Sequence, residues 1–149
     1  MKIQFNRVRY AELKARQKEN FNFQKVSGIL ADYGFSTVRL TDDWEGADFV
    51  AQHADGLTML RVQLKPRLYF SKKYLGKQLW VCFRDGDGAY LFPHDVVLEL
   101  ILKTSRAMTG TKSWKDKGAY SFKTLSKATQ AMLAAYRLPI ASPTPKQNV

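Results

Sequence analysis

Asp48, Gln63 and Lys65 bring a carboxylate, an amide oxygen and an ammonium within reach of one another if the chain folds back between them. Asp55-Gly56 is a strong two-residue turn signal. With that pair as the turn, Ala54 faces Leu57, and following the ladder back sets Asp48 opposite Gln63. Strand alternation then puts Lys65 on the same face as Gln63. Directly opposed Cβ atoms lie roughly 5 Å apart. A carboxylate beside a neutral oxygen suits a hard cation such as Mg²⁺ or Mn²⁺, which completes its shell with water and phosphate oxygens. An ammonium at the same spot stabilises charge on a phosphate or orients an attacking water. The opposite face of the second strand carries Leu60, Val62 and Leu64, as a core requires.

The remaining charge points the same way. Among the 149 residues, 24 Lys plus Arg stand against 13 Asp plus Glu, a formal charge of +11, which favours a polyanionic partner, nucleic acid first. From Arg61 to Arg84 there are basic residues but no acidic ones, with Tyr69, Phe70, Tyr74 and Trp80 interleaved. Arg67, Lys72, Lys73 and Lys77 are the phosphate-contacting candidates in that stretch, and exposed aromatics there can stack on unpaired bases. Phe70 and Trp80 can equally well belong to the core. Lys112–Lys117 is a weaker second patch. Asp42, Asp43 and Glu45, in an acidic loop with Trp44, either join Asp48 around a cation or are simply solvated. His94-Asp95 has the look of a metal pair, but Asp95 stands where a helix cap belongs. Cys82, alone in an apolar run, allows no internal disulfide and no cysteine-based zinc site. No phosphate-cradling glycine loop and no Ser/His/Asp nucleophile set can be argued. With no signal peptide and no apolar run long enough to span a membrane, the expected location is the cytoplasm.

The elements that must position these residues can be read in outline. Phe23, Val26, Leu30 and Tyr33 recur at helical spacing, with Asn20 or Asn22 as cap and Gly34 as terminator, predicting a helix over 22–33. Gly28 inside it marks a close approach to a sheet. Residues 36–40 read as a strand, then the hairpin, then strands at 79–83 and 89–92. A helix follows over 96–103, and a last one runs from Ser121 or Thr124 to about Tyr136. The order predicts an α/β or α+β sandwich, a mixed sheet flanked by helices. One domain spans 1–138, and the proline-rich 139–149 is a flexible tail.

A helix and a strand, then Asp48, then a strand ending in Val62-Gln63-Leu64-Lys65 resembles the restriction-endonuclease-like nucleases, the PD-(D/E)XK superfamily, over residues 20–92. Gly46-Ala47-Asp48 stands in place of Pro-Asp, and Gln63-Leu64-Lys65 in place of Glu-x-Lys, a Gln variant that occurs in some members. Lys73-Tyr74-Leu75-Gly76-Lys77 and Tyr90-Leu91-Phe92-Pro93-His94-Asp95 add a resemblance to small bacterial and phage proteins of this fold. The resemblance implies a Mg²⁺- or Mn²⁺-dependent DNA endonuclease. Asp48 and Gln63 would hold the metal, Lys65 would assist the chemistry, and a first-helix residue, Gln24 or Glu19, would complete the shell. Cutting a duplex with one site per chain implies a homodimer. Gln for Glu removes one charge from the metal site, so a nucleic-acid-binding protein of this fold without turnover is the alternative. A regulatory protein-interaction module is a third reading.

Overall fold

The computed structural model describes residues 1–140, apart from the side chains of Asp43 and Trp44. Most of the expected 139–149 tail therefore lies outside the described residues. Within them, six strands form a mixed sheet in the order β1-β2-β3-β5-β6-β8. These are β1 (Phe35–Trp44), β2 (Ala47–His53), β3 (Met59–Leu64), β5 (Leu79–Asp85), β6 (Gly88–Pro93) and β8 (Arg137–Leu138). β3 and β5 run parallel, and every other neighbouring pair is antiparallel. A small second sheet pairs β4 (Tyr69–Ser71) with β7 (Ala119–Ser121). The helices are α1 (Ala15–Asp32), α2 (His94–Thr104) and α3 (Lys127–Leu133). This is the mixed sheet flanked by helices that the sequence predicts.

Alternation splits the apolar residues between two faces. Phe49, Ala51, Val62, Cys82 and Leu91 face α1, where they meet Val26, Ile29 and Leu30. Val81, Phe83, Tyr90 and Phe92 face the other way and pack with Val97, Leu98 and Ile101 of α2, and with Met108 and Trp114. Each helix thus seals one face of the β5–β6 centre. Burial of such side chains, about 1.5–3 kcal/mol each, is what holds the layers together.

α1 begins seven residues earlier than its apolar spacing indicates. Its first turn and a half, Ala15 to Glu19, consists of strong helix formers with no apolar stripe to detect. The Gln17 side chain accepts the Lys14 amide at 2.9 Å and holds the start. Gly34 ends the helix at φ +84, as expected. Gly28 does not approach the sheet: a Cβ there would meet nothing within 4 Å. α2 starts at His94, with Pro93 preceding it, so Asp95 lies inside the helix and is not its cap. Instead, Asp95 accepts the Gly76 amide at 2.9 Å.

Candidate functional site

The hairpin that carries Asp48 has the predicted register but a different turn. Phe49 pairs with Val62 and Gln52 with Met59, the same diagonal that sets Asp48 opposite Gln63. Strand pairing stops short of Asp55-Gly56. The His53 amide donates to the Thr58 carbonyl at 2.9 Å, closing a loop over residues 54–57. Asp55 organises that loop: its carboxylate accepts the Leu57 and Thr58 amides and the Thr58 hydroxyl, all within 2.8 Å. Those bonds push its pKa down to about 2. A four-residue loop leaves the same strand parity as a two-residue one, so the faces are unchanged. The true two-residue turn is one hairpin earlier, at Glu45-Gly46. Both residues there have positive φ, 53 and 88, as a type I′ turn requires. The expected acidic loop is therefore mostly the end of β1, and the Asp43 and Trp44 side chains lie outside the described residues.

Asp48 occupies a break in the sheet. On one side, the β1–β2 register shifts between Arg39 and Trp44. On the other, regular β2–β3 pairing ends at Phe49. Beyond it the Asp48 carboxylate takes over and accepts the Leu64 amide at 2.8 Å. β3 meanwhile stays tied to β5, with the Lys65 amide donating to the Cys82 carbonyl at 2.9 Å. The strands splay, and the polar side chains stand in the gap. Irregularities of this kind re-aim side chains at sites.

Two hollows meet at this gap. One, of about 210 Å³, is lined by Glu19, Asn22 and Phe23 of α1, by Arg39 of β1, and by Asp48, Gln63 and Lys65. The other, of about 290 Å³, shares Asp48, Gln63 and Lys65 and adds Lys73, Tyr74 and Lys77. Glu19, Asn22 and Phe23 are spaced to share one helix face. Gln24, the other first-helix candidate, is exposed and lines neither hollow. Of the two first-helix residues that the resemblance offers, Glu19 is the one that lines the gap. With the start at Ala15, Glu19 has a helical position facing the gap.

The charges in the gap strain against one another. Burial raises the Asp48 pKa above the usual carboxylate value. The Leu64 amide and Lys65 oppose that shift, while Glu19 reinforces it. Lys65 is moved down from the usual lysine value, first by burial, with Asp48 opposing and the Lys73 charge adding to the shift. Its ammonium lies 4.3 Å from the centre of the Tyr69 ring, a cation–π contact that fixes its place. Asp48, the Gln63 amide and Glu19 offer oxygen donors only, the hard set that suits Mg²⁺ or Mn²⁺. A cation here would offset both the burial that chiefly raises the Asp48 pKa and the Glu19 charge that adds to it. Among the described residues no group of three or more His, Cys, Asp and Glu forms a closed cage. A cation held by these oxygens would keep positions for further ligands.

The four basic candidates separate. Lys73 and Lys77 line the second hollow. Lys72 instead lies 5.0 Å from the Trp114 ring, and its stem runs past Gly118. Arg67 donates to the Ser121 hydroxyl at 2.6 Å, away from both hollows. Of the interleaved aromatics, Phe70 and Tyr74 are buried, and Trp80 is half-buried against the α1-side core. Arg39 lines the gap without having been distinguished by motif or spacing, and Asn22, read from the sequence only as a candidate helix cap, lines it too. Arg39 is held there by a hydrogen bond to Asn20 and by the Phe23 ring, 5.3 Å away.

His94 and His53 serve the frame. His94 is fully buried; its Nε2 accepts the Ser71 amide at 3.1 Å, and its Nδ1–H donates to Asp95 at 2.8 Å. With Asp95 holding Gly76, this pair clamps both ends of the 71–76 segment that carries Lys73 and Tyr74. His53 ties the hairpin to the end of α1 through the Tyr33 carbonyl at 3.1 Å.

No family model matches the chain. No curated protein matches it either. Among solved structures, it is similar to Hjc, a Holliday junction resolvase from the archaeal hyperthermophile Archaeoglobus fulgidus. The TM-score is 0.42 and the identity 18%, over 52% of this chain and 74% of that one.

Proposed function

We propose that the chain is a divalent-metal-dependent phosphodiesterase acting on nucleic acid, DNA by preference, as a member of the PD-(D/E)XK nucleases in their Gln-x-Lys form. The observation that supports this most is the convergence of Asp48, Gln63, Lys65 and Glu19 on one gap where the sheet opens, with Lys73 and Lys77 beside it. Asp48 and the Gln63 oxygen would hold Mg²⁺ or Mn²⁺, and Glu19 would face it from α1. When bound, the cation supplies positive charge opposite the phosphate and makes hydroxide accessible near neutral pH. Lys65 sets its ammonium against a non-bridging oxygen and stabilises the charge that grows there in the transition state. Tyr69 holds that ammonium in place, so little reorganisation accompanies the step. Lys73 and Lys77 take the neighbouring phosphates, and Arg39 borders the α1 side of the cleft. The test is incubation of plasmid, linear duplex and single-stranded DNA with Mg²⁺ or Mn²⁺, beside Asp48→Asn and Lys65→Ala. Cleavage by the wild type alone supports the reading. Equal cleavage by all three proteins assigns the activity to a contaminant and refutes it.

A second reading rests on Gln63. A neutral ligand in place of a carboxylate weakens the hold on a cation. Binding of nucleic acid without turnover uses the same cleft and the same lysines. It predicts salt-sensitive binding that Asp48→Asn leaves intact, with no cleavage under any metal.

A further inference from the structure

Residues 1–9 form no helix or strand in the structure, yet Met1-Lys2-Ile3-Gln4-Phe5-Asn6 alternates apolar and polar side chains with the period of a strand. The apolar set is almost wholly in solvent: Ile3 is 64% exposed and Phe5 92%. Single exposed apolar residues are ordinary, but these three on one face of an extended segment cover nothing among the described residues. The six-stranded sheet ends on β1, which pairs with β2 along one edge only among the described strands. An open edge of this length is a template for a further strand. Its face away from α1 carries Val38, 60% exposed and directly opposite Val50, with Met59 one row on. Among the described residues α2 and Trp114 pack over β5 and β6, and on this half of the sheet the short 3-10 turn Lys72–Tyr74 reaches only Leu40 and Ala47 through Tyr74, leaving the Val38 row open.

We infer that the 1–6 segment of a second copy of this chain adds to β1 as an edge strand, so that the protein is an arm-exchanged homodimer. The occupant is another copy because the chain's own arm departs from the wrong flank. Tyr10 is pinned by the Phe21 ring at 5.4 Å and by Arg84 of β5 at 5.8 Å. β1 meets α1 on its other flank, where Arg39 bonds Asn20. Charge agrees with this pairing. The arm carries Lys2, Arg7 and Arg9, and the far end of β1 carries Asp42 with Glu45 just beyond, in a chain otherwise dominated by cations. Exchange in both directions is a closed, two-fold arrangement. Ile3 and Phe5 then cover the Val38 and Val50 row, and the edge amides of β1 gain partners.

The experiment uses the full chain. Its mass is measured by sedimentation equilibrium from low to high micromolar concentration, beside Phe5→Asp, Val38→Asp and a chain lacking residues 1–9. Wild type is expected to be a dimer, and each change to raise the dissociation constant about tenfold or more while leaving the circular dichroism spectrum unchanged. A second measurement mixes the single variants Ile3→Cys and Val38→Cys under mild oxidation. A disulfide-linked heterodimer is expected, because the native Cys82 is buried and does not compete. A wild type that is monomeric throughout the range overturns the inference. So does a dimer that survives loss of residues 1–9, or one that needs the arm but yields no mixed disulfide. In a chain carrying both cysteines, a disulfide within one monomer places the arm on its own β1 and equally overturns it.

Discussion

Replacing both Lys73 and Lys77 by alanine will flatten the salt dependence of duplex binding by about half. Four cationic side chains line the two hollows: Arg39, Lys65, Lys73 and Lys77. If each neutralises one phosphate, the slope of log K against log salt is about −3.6 on duplex DNA, at roughly 0.9 per contact. Affinity then falls about 150-fold between about 50 and 200 mM salt. With two contacts gone, the slope becomes about −1.8 and the same change in salt costs about 12-fold. The assay is fluorescence anisotropy of a labelled duplex with chelator present, so that cleavage does not intrude. Lys72→Ala and Arg67→Ala serve as controls, since the first side chain rests on Trp114 and the second on Ser121. An unchanged slope in the double variant refutes the placement of the phosphates. So does an equal flattening in the controls, which would make the basic charge a diffuse field and the cleft irrelevant to it.

Asp48→Asn will abolish cleavage yet raise the melting temperature at neutral pH. The raised carboxyl pKa means the fold disfavours the ionised form, a penalty present at neutral pH and relieved as pH falls through that value. Asparagine keeps an oxygen for the Leu64 amide, and scanning calorimetry across pH should show the gap between the two proteins closing in acid; a lower melting point for the variant would contradict this. Gln63→Glu will tighten Mn²⁺ binding on the order of tenfold, about 1.4 kcal/mol, in titration calorimetry. No change would remove Gln63 from the metal shell. His94→Leu will cost about 1–3 kcal/mol in denaturant unfolding, because the Ser71 amide loses its acceptor. Burial also holds the His94 pKa below its usual 6.5. The unfolded chain therefore takes up the proton first, and wild-type stability erodes as pH falls below about 6.5. The variant will lack that component; an identical pH profile would show that His94 does not titrate in this range.

The sequence makes the hairpin legible because alternation is a property of neighbouring residues. Val62 and its flanking leucines fix which face is inward, and an even-length loop centred on Asp55-Gly56, of two residues or four, then sets Asp48 across from Gln63. What escapes is whatever depends on distant parts of the chain. Glu19 faces the gap from the part of α1 that reaches back through polar residues with no periodicity, so the apolar pattern alone leaves it outside the helix and leaves the choice between Gln24 and Glu19 open. Arg39 reads as an ordinary polar position on a strand; its role comes from the register shift beside Asp48, which no local pattern announces. Lys72 and Lys73 are adjacent in sequence and alike in chemistry. They part because the short 3-10 turn from Lys72 to Tyr74 aims one at Trp114 and the other at the cleft. His94-Asp95 has the composition of a ligand pair. Only the fold reveals that its partners are the Ser71 and Gly76 amides.

The bond from the Leu64 amide to the Asp48 carboxylate gives the protein an internal reporter. That proton is shielded by a side chain where its neighbours are shielded by backbone, so its nuclear resonance and its exchange with solvent follow the state of one acid. Protonating Asp48, binding a cation to it or mutating it should each move this single amide signal while those deeper in β3 stay fixed. Occupancy and ionisation of the site can therefore be followed by NMR without a substrate, a turnover assay or an attached label.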